Sequence, residues 1–217
     1  MTDNINYSHI VDYLQNTLPD TKGYLREMEL YAQENNVPII QKEVRCFLGM
    51  LLKYKAPTNI VELGTAIGYS SLFFSDYLNE GGKIITFERE KEYYDIAMSN
   101  ISKAGKSDSI EVVFGDAYEN VKKINGKFDI IFMDANKSMY RYYFDILFPM
   151  LNVGGLIICD NILYKGMISN EKLAPRKQNT IIENIKDFLI FISNHDKLET
   201  SIIPIGDGVS VSVKLCD

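Results

Sequence analysis

The sequence contains few of the residues on which histidine and cysteine sites depend. Its 217 residues include two histidines, His9 and His195, which are far apart. We therefore expect neither a histidine-based metal site nor a Ser-His-Asp triad. The three cysteines, Cys46, Cys159 and Cys216, are scattered and form no C-x-x-C pair, which argues against a zinc knuckle or a disulfide framework.

Long apolar runs and an excess of positive charge are missing as well. No run approaches the ~20 residues that cross a bilayer, and the segment Met1–Asn4 lacks the basic and apolar regions of a signal peptide. We therefore expect a cytoplasmic protein without a membrane anchor. The net charge of −6 argues against a generally basic nucleic-acid-binding surface, although not against a local basic patch.

The length fits one domain with a full hydrophobic core. Before residue 57, apolar residues recur at helical spacing over 5–18, 21–35 and Gln41–Tyr54. After residue 57, strand and helix patterns alternate. We expect a single domain over 1–217, with a helical N-terminal cap over 1–56 and an α/β core over 57–217.

The alternation after residue 57 predicts a mostly parallel sheet. The predicted strands are Asn59–Leu63, Lys83–Glu88, Ser109–Phe114, Phe128–Asp134 and Gly155–Asp160. The predicted helices are Tyr69–Asn79, Glu90–Ala104, Ala117–Ile124, Met139–Leu151 and Pro175–Asn194. Two further strands, Glu199–Pro204 and Val209–Leu215, flank an Asp-Gly turn that predicts an antiparallel hairpin. The fold class is therefore α/β, with seven strands and a C-terminal hairpin.

The segment Asn59–Ser70 is the centre of the predicted core. A short apolar strand passes through Gly64 and Gly68 into an apolar-periodic helix, as in the first βα unit of an open sheet, where ligands bind at strand ends. Glu62 places a carboxylate where an apolar core would not favour one. The pattern is E-x-G-x-x-x-G and not the dinucleotide pattern G-x-G-x-x-G. A generic α/β turn without a cofactor stays open as the alternative.

Acidic side chains follow the next two strands. Glu88 ends the second strand, 20 residues beyond Gly68, which suits a carboxylate that accepts both ribose hydroxyls of an adenosine. An exposed strand-end glutamate is the alternative. Asp116 follows the third strand and opens a helix, so a capping role is the alternative to a cofactor contact, and a capping residue could still face the adenine edge.

A second polar group follows strands four and five. Asp134, Asp160 and Asn161 offer carboxylate and amide oxygens without a nearby histidine or cysteine, which suits Mg²⁺ or Ca²⁺ better than zinc. The alternative is two acids that stabilise helix N-termini. Lys137, beside such a metal, could take a proton from a substrate hydroxyl; a solvated loop lysine is the alternative.

These features together resemble the cation-dependent class I S-adenosylmethionine (SAM) O-methyltransferases of the catechol and caffeoyl-CoA type. The resemblance extends from about Arg26 to the C-terminus and is carried by Val61–Ser70, Glu88, Gly115–Ala117, Asp134–Lys137, Asp160-Asn161 and Pro204–Gly208. It implies a Rossmann-like fold with N-terminal capping helices, SAM and Mg²⁺ as cofactors, and a homodimer.

The resemblance also implies roles for individual residues. The residues implied to hold SAM are Ile40, Glu62, Gly64, Thr65, Gly68, Ser70, Glu88, Asp116, Ala117 and Asp134. The implied Mg²⁺ ligands are Asp134, Asp160 and Asn161. Lys137 is the implied catalytic base, and Asp134 is the second implied catalytic residue.

Within this family the chain resembles the short bacterial branch that methylates 5-hydroxyuridine at the tRNA wobble position. The matching segments are Leu25–Ala32, Val37–Ile39 and Asp160–Gly166. For such an acceptor, the predicted phosphate contacts are Lys22, Arg26, Arg45, Lys165, Lys172, Arg176 and Lys177.

Two alternatives to a tRNA substrate stay open. The first is a small-molecule enzyme acting on catechols or hydroxycinnamoyl-CoA, a vicinal-oxygen substrate that the acidic net charge favours. The second is a non-catalytic SAM-binding protein that uses the fold for assembly. The presence of Asp134, Lys137 and Asp160 argues against the second alternative.

Overall fold

The structure is a computed structural model of the chain, and it describes residues 5–170, 173 and 175–217. The described residues form two compact units. Residues 17–124 make up the 17–124 unit. The described residues of 1–16 and 125–217 make up the other, called the 125–217 unit. The predicted division into a helical cap and an α/β core stays a prediction.

The elements follow one another in the predicted order. The helices are α1 Ser8–Thr17, α2 Tyr24–Asn35, α3 Lys42–Lys55, α4 Tyr69–Ser75, α5 Lys91–Lys103, α6 Ala117–Asn120, α7 Tyr140–Leu147 and α8 Asn179–Ser193. The strands are β1 Asn59–Leu63, β2 Lys83–Glu88, β3 Ile110–Phe114, β4 Phe128–Met133, β5 Leu151–Cys159, β6 Leu198–Ile203 and β7 Val209–Lys214. Short 3₁₀ turns cover Val121–Lys123, Lys137–Met139, Phe148–Met150 and Arg176–Gln178.

The strands of the 17–124 unit are parallel and lie in the order β3-β2-β1. Ile60 of β1 pairs with Ile84 of β2, which pairs in turn with Ile110 of β3. Apart from the first residue, every residue of β1 is buried. Continuous burial is what a strand covered on both faces requires. The carboxyl ends of β1, β2 and β3 are therefore side by side in this unit.

The 125–217 unit has the order β4-β5-β7-β6. β4 and β5 are parallel, with Ile131 opposite Ile157. β7 runs antiparallel to both β5 and β6. The parallel pairing places the last residues of β4 and β5, Met133 and Cys159, opposite each other. The side chains that follow these two strands are therefore neighbours.

The predicted fold class, α/β with a mostly parallel core and a C-terminal hairpin, is confirmed: β1, β2 and β3 are parallel in one unit, β4 and β5 are parallel in the other, and β6 and β7 form an antiparallel hairpin. No helix among the described residues is long and apolar enough to cross a membrane. In α1 no side chain is buried, and the predicted capping role of the N-terminal helices stays a prediction.

The largest departure from prediction is the helix predicted over Met139–Leu151. α7 ends at Leu147 because Pro149, which lacks an N–H, follows within a 3₁₀ turn. β5 then begins at Leu151, earlier than the predicted Gly155. Lys214 stabilises this corner, since its buried ammonium donates to the Leu151 carbonyl at 2.9 Å.

Three other predicted helices are shorter than expected. α4 ends at Ser75, and Asn79 instead binds the carbonyls of Ala56 and Pro57. α6 gives way to a 3₁₀ turn after Asn120. α8 begins at Asn179 because a 3₁₀ turn occupies the residues after Pro175.

Candidate active site

The loop between β1 and α4 is shaped by three residues with positive φ. Gly64, Ala66 and Gly68 have φ values of 102°, 45° and 85°. The left-handed region costs a side-chain-bearing residue energy, so the glycines suit their positions. At Gly68 a Cβ would lie 3.4 Å from the Cβ of Ala97 in α5. The close approach of α5 and the turn thus depends on a small residue here.

Glu88 ties the ends of β1 and β2 together. Its Oε2 accepts the Ala66 N–H at 2.8 Å, and its Oε1 accepts the Glu90 N–H at 2.8 Å. Each carboxylate oxygen has a second lone pair, so the side chain retains capacity to accept further hydrogen bonds. The predicted contact between Glu88 and a ribose therefore remains chemically possible and stays a prediction.

Glu62 was expected at a strand end that is open to a ligand, but the structure encloses it in protein. The residue is fully buried, and its Oε2 accepts a hydrogen bond from the Ser71 hydroxyl of α4. The carboxylate is therefore covered by protein and supports the entry into α4. The predicted direct contact between Glu62 and a cofactor stays a prediction.

The remaining predicted cofactor residues of the 17–124 unit are mostly buried or engaged within the unit. Thr65 is buried and shares a 2.7 Å hydrogen bond with Thr86. Asp116 caps α6, since its carboxylate accepts the Tyr118 N–H at 2.9 Å, which confirms the predicted capping alternative. Three further members of the set are almost fully buried: Ile40, Ser70 and Ala117.

A partly buried hydrogen-bond network around Glu29 was missed from the sequence. The Tyr69 hydroxyl donates to Glu29 Oε1 at 2.7 Å, which joins α4 to α2. Burial alone would raise the pKa of Glu29, but hydrogen bonds from Thr21, Tyr69 and Arg26 hold it below its ordinary value. No spacing rule points to the contact between Tyr69 and Glu29, because it joins two helices through residues that are 40 positions apart in the chain.

The network also corrects one prediction. Arg45 was expected to contact phosphate, but it is 8% exposed. Its guanidinium donates to the Pro19 carbonyl at 2.7 Å, and Nε lies 3.9 Å from a Glu29 oxygen. A buried guanidinium that is engaged within its own unit is a structural cation, not a phosphate contact.

The second predicted group lies entirely within the 125–217 unit. Asp134 follows β4, and Asp160 and Asn161 follow β5. Lys137 Nζ lies 3.1 Å from Asp134 Oδ1 and 3.1 Å from the Asp160 carbonyl. The structure therefore brings together the residues that the sequence predicted as metal ligands and base.

Electrostatics in this cluster favour a bound cation. Asp160 is 2% exposed, and burial, followed by the repulsion of the Asp134 carboxylate, raises its pKa to about 7. Two neighbouring carboxylates of which one is buried are costly without positive charge. The Lys137 ammonium supplies part of that charge, and a divalent cation would supply more.

Asn161 adopts a strained conformation beside these acids. Its φ is 54°, and its backbone N–H donates to Asp160 Oδ1 at 2.7 Å. The side-chain amide nitrogen also lies 3.3 Å from this oxygen. Left-handed backbone is tolerated by asparagine better than by most residues. This conformation fixes the amide next to Asp160.

The C-terminal hairpin forms hydrogen bonds with the segment that follows Asn161. Two backbone N–H groups of the loop donate to the turn that joins β6 to β7. The Ile162 N–H donates to the Gly208 carbonyl at 3.0 Å, and the Leu163 N–H donates to the Asp207 carbonyl at 2.9 Å. The Asp207 carboxylate accepts the Lys165 N–H. The segment after Asn161 is therefore held by the Asp-Gly turn.

The oxygen donors fit a magnesium-type ion. Among the described residues, no group of three or more His, Cys, Asp or Glu side chains could hold a metal, and the predicted set contains only two such side chains. Asp134, Asp160 and Asn161 supply carboxylate and amide oxygens, and Mg²⁺ commonly takes its other ligands from water or substrate. The chemistry of the donor set therefore fits Mg²⁺.

The fold and these two groups of residues define a class of protein. Comparison with known proteins identifies that class. A family model described as O-methyltransferase matches residues 16–215. A caffeoyl-CoA O-methyltransferase from Populus kitakamiensis is 33% identical over 177 residues, which cover 78% of this chain and 75% of that protein. Caffeoyl-CoA O-methyltransferase 1 from Eucalyptus globulus is 32% identical over 216 residues, covering 94% and 86%.

A solved structure agrees with these matches. An O-methyltransferase from Bacillus cereus, determined in complex with SAH, superimposes with a TM-score of 0.83 at 26% identity and covers 95% of this chain and 97% of its own. The chain belongs to the O-methyltransferase family. The predicted enzyme class, an O-methyltransferase, is confirmed.

Proposed function

We propose that this protein transfers a methyl group from SAM to a hydroxyl oxygen in a Mg²⁺-dependent reaction. The observation that carries the proposal is the cluster of Asp134, Lys137 and Asp160, in which a lysine ammonium lies between the oxygens of two strand ends. The similarity to the Bacillus cereus enzyme in complex with SAH supports SAM as the methyl donor.

On this proposal, SAM is held by the residues at the ends of β1, β2 and β3. Gly64 and Gly68 allow the backbone to approach the cofactor. Glu88 accepts hydrogen bonds from the ribose hydroxyls with its remaining lone pairs. Asp116 caps α6 and offers its neighbouring backbone to the adenine.

Asp134, Asp160 and Asn161 would hold the metal ion. A bound Mg²⁺ would supply Lewis-acid chemistry that lowers the pKa of the acceptor hydroxyl. Lys137 would act as general base in its neutral amine form, whose lone pair takes the hydroxyl proton and leaves an ammonium. Methyl transfer needs the oxygen, the methyl carbon and the sulfur in line, so rigid placement of the acceptor is the main task of the protein.

One candidate acceptor is 5-hydroxyuridine in tRNA, whose hydroxyl lies beside the C4 carbonyl. The resemblance of the N-terminal helices and of Asp160–Gly166 to the tRNA-modifying branch supports it. Lys22, Lys165 and Lys177 are exposed, as phosphate contacts require. Lys172 and the side chain of Arg176 lie outside the described residues, and the burial of Arg45 removes one predicted contact.

The other candidate acceptor is a small molecule with two vicinal oxygens, a catechol or a hydroxycinnamoyl-CoA ester. It is supported by the caffeoyl-CoA O-methyltransferases at 32–33% identity and by the net charge of −6. A homodimer also belongs to the proposal. Turnover of either acceptor would exclude a purely structural SAM-binding role.

A competition assay distinguishes the two acceptors. Purified protein, labelled SAM and Mg²⁺ are incubated with hypomodified tRNA and a panel of catechols and hydroxycinnamoyl esters. For tRNA, we expect label in 5-methoxyuridine and a rate that falls steeply with salt. Label that enters only the small molecules, at salt-insensitive rates, would refute the tRNA acceptor.

Charge-reversal variants sharpen the assay. Lys22→Glu with Lys177→Glu should raise KM for tRNA without changing SAM binding, because phosphate contacts contribute to affinity and not to cofactor binding. Lys53→Glu with Lys127→Glu is the matched control, since both are exposed lysines outside the predicted set and the pair changes the net charge by the same amount. An equal effect of the control would show that only net charge matters.

A further inference from the structure

Tyr140 makes an unassigned contact with the proposed catalytic base. It is the first residue of α7, and it is 1% exposed. Its hydroxyl lies 3.4 Å from Lys137 Nζ and donates to the Met133 carbonyl at 2.9 Å. A tyrosine hydroxyl has one hydrogen. Because Met133 receives that hydrogen, the oxygen presents a lone pair to Lys137 and accepts from it.

The position of the Tyr140 ring is itself fixed. The ring packs edge-to-face against Phe188 of α8, with centroids 5.4 Å apart, and the Lys137 ammonium lies 5.7 Å from the ring centroid. Burial raises the pKa of the Tyr140 phenol well above its ordinary value, so the hydroxyl keeps its proton. The phenol is therefore a rigid, neutral acceptor for the lysine.

Among the described residues, three groups accept a hydrogen bond from Lys137, and one of them is also a proposed metal ligand. Asp134 Oδ1 accepts from Lys137 at 3.1 Å and belongs to a proposed metal ligand, so the lysine competes with a cation for that carboxylate. The Asp160 carbonyl, at 3.1 Å, and the Tyr140 hydroxyl do not have this conflict. They are the two contacts that can hold Lys137 while Asp134 is engaged.

We propose that Tyr140 is a positioning residue, which holds Lys137 in place for proton transfer through its buried hydroxyl. This inference rests on the proposed function. Tyr140 touches neither substrate nor cofactor in this role, and it acts through the lysine. Small displacements of reacting groups cost large factors in rate, so loss of the hydroxyl should lower kcat and leave binding unchanged.

The direct test is Tyr140→Phe, which removes the hydroxyl and keeps the ring against Phe188. The Met133 carbonyl keeps the Asp160 N–H at 3.2 Å, so no buried acceptor is stranded. We expect kcat to fall by roughly 10- to 100-fold, with the acceptor KM, the SAM Kd and the Mn²⁺ Kd within about twofold of wild type. Tyr143→Phe, a buried tyrosine of the same helix, is the matched control and should retain wild-type kcat.

A second readout does not need turnover. In protein without metal or substrate, the rate of Lys137 acylation is followed by mass spectrometry. Loss of one acceptor should speed this labelling by about 3- to 10-fold in Tyr140→Phe, the factor expected for one hydrogen bond. Tyr143→Phe should leave it unchanged.

The outcomes separate the two proposals. Unchanged kcat together with unchanged Lys137 labelling would overturn the positioning role, and so would a rise in acceptor KM or Mn²⁺ Kd at constant kcat. A wild-type protein that methylates no hydroxyl acceptor would overturn the proposed function. Faster labelling in Tyr140→Phe would in that case still establish the contact with Lys137.

Discussion

Gly208→Ala is the substitution for which the structure gives the most detailed expectation. Gly208 has a φ of 85°, in the left-handed region. A Cβ built at this position would lie 2.3 Å from Leu163 Cγ and 2.9 Å from Leu163 Cβ. Leu163 follows the proposed metal ligand Asn161 and is bonded to the same turn. The added methyl group should therefore displace the loop that carries this ligand.

The magnitude has two parts. A left-handed alanine costs about 1–2 kcal/mol, and forced overpacking costs about 1–3 kcal/mol, so we expect a loss of roughly 2–5 kcal/mol in the free energy of unfolding. Gly81→Ala is the matched control, since Gly81 has a φ of 75° and open space around its Cβ position. It should lose only the backbone part, about 1–2 kcal/mol.

The assay is urea unfolding of both variants, with Mn²⁺ affinity measured on the folded protein. Gly208→Ala should weaken Mn²⁺ binding, and Gly81→Ala should not. Leu163→Ala removes the atom of closest contact. The double variant should therefore lose less free energy of unfolding than the two single variants lose together, by about 1–3 kcal/mol. Equal losses in Gly208→Ala and Gly81→Ala would show that the contact with Leu163 is relieved without cost.

Three further predictions concern single side chains. Lys137→Met should lower kcat by roughly 10²-fold or more through loss of the general base with the SAM Kd unchanged, and a rise in KM alone would make Lys137 a binding residue. Lys214→Met should cost about 1–3 kcal/mol in urea unfolding because the buried Leu151 carbonyl loses its donor, whereas the exposed Lys127→Met should change little. Glu29 has a lowered pKa in the folded state, so its stabilisation is present above the unfolded value near 4.5 and is lost as the pH falls through the folded value. Acid titration of stability should therefore converge for wild type and Glu29→Gln at low pH, and a constant difference would contradict this.

Local patterns predicted the strands well. β1 and β2 begin and end at the predicted residues, because apolar runs bounded by polar and glycine residues leave little freedom. The helix predicted to continue to Leu151 was wrong at its end. The apolar periodicity continues past Pro149, but the loss of an N–H and the capping of carbonyls by the distant Lys214 end the helix earlier.

In the candidate site, too, local sequence predicted some features, and contacts between distant residues determine the others. Asp134, Lys137 and Asp160 follow strands and could be predicted, because parallel strand ends meet at one edge. Three other roles could not be predicted, because they depend on contacts that form only on folding. The Tyr140 hydroxyl lies beside the Lys137 ammonium, Gly208 packs against Leu163, and Glu29 accepts a hydrogen bond from Tyr69 of α4. Arg45 was misassigned because sequence shows charge and not burial.

The proposed activity is cation-dependent methyl transfer by the residues after β4 and β5. The measurement is the rate of methyl transfer from labelled SAM to the acceptor identified by competition, before and after chelation, with SAM binding followed by calorimetry on the same samples. We expect chelator to abolish turnover, added Mg²⁺ to restore it, and SAM binding to survive throughout. Undiminished turnover in excess chelator would contradict the assignment of Asp134, Asp160 and Asn161 as metal ligands.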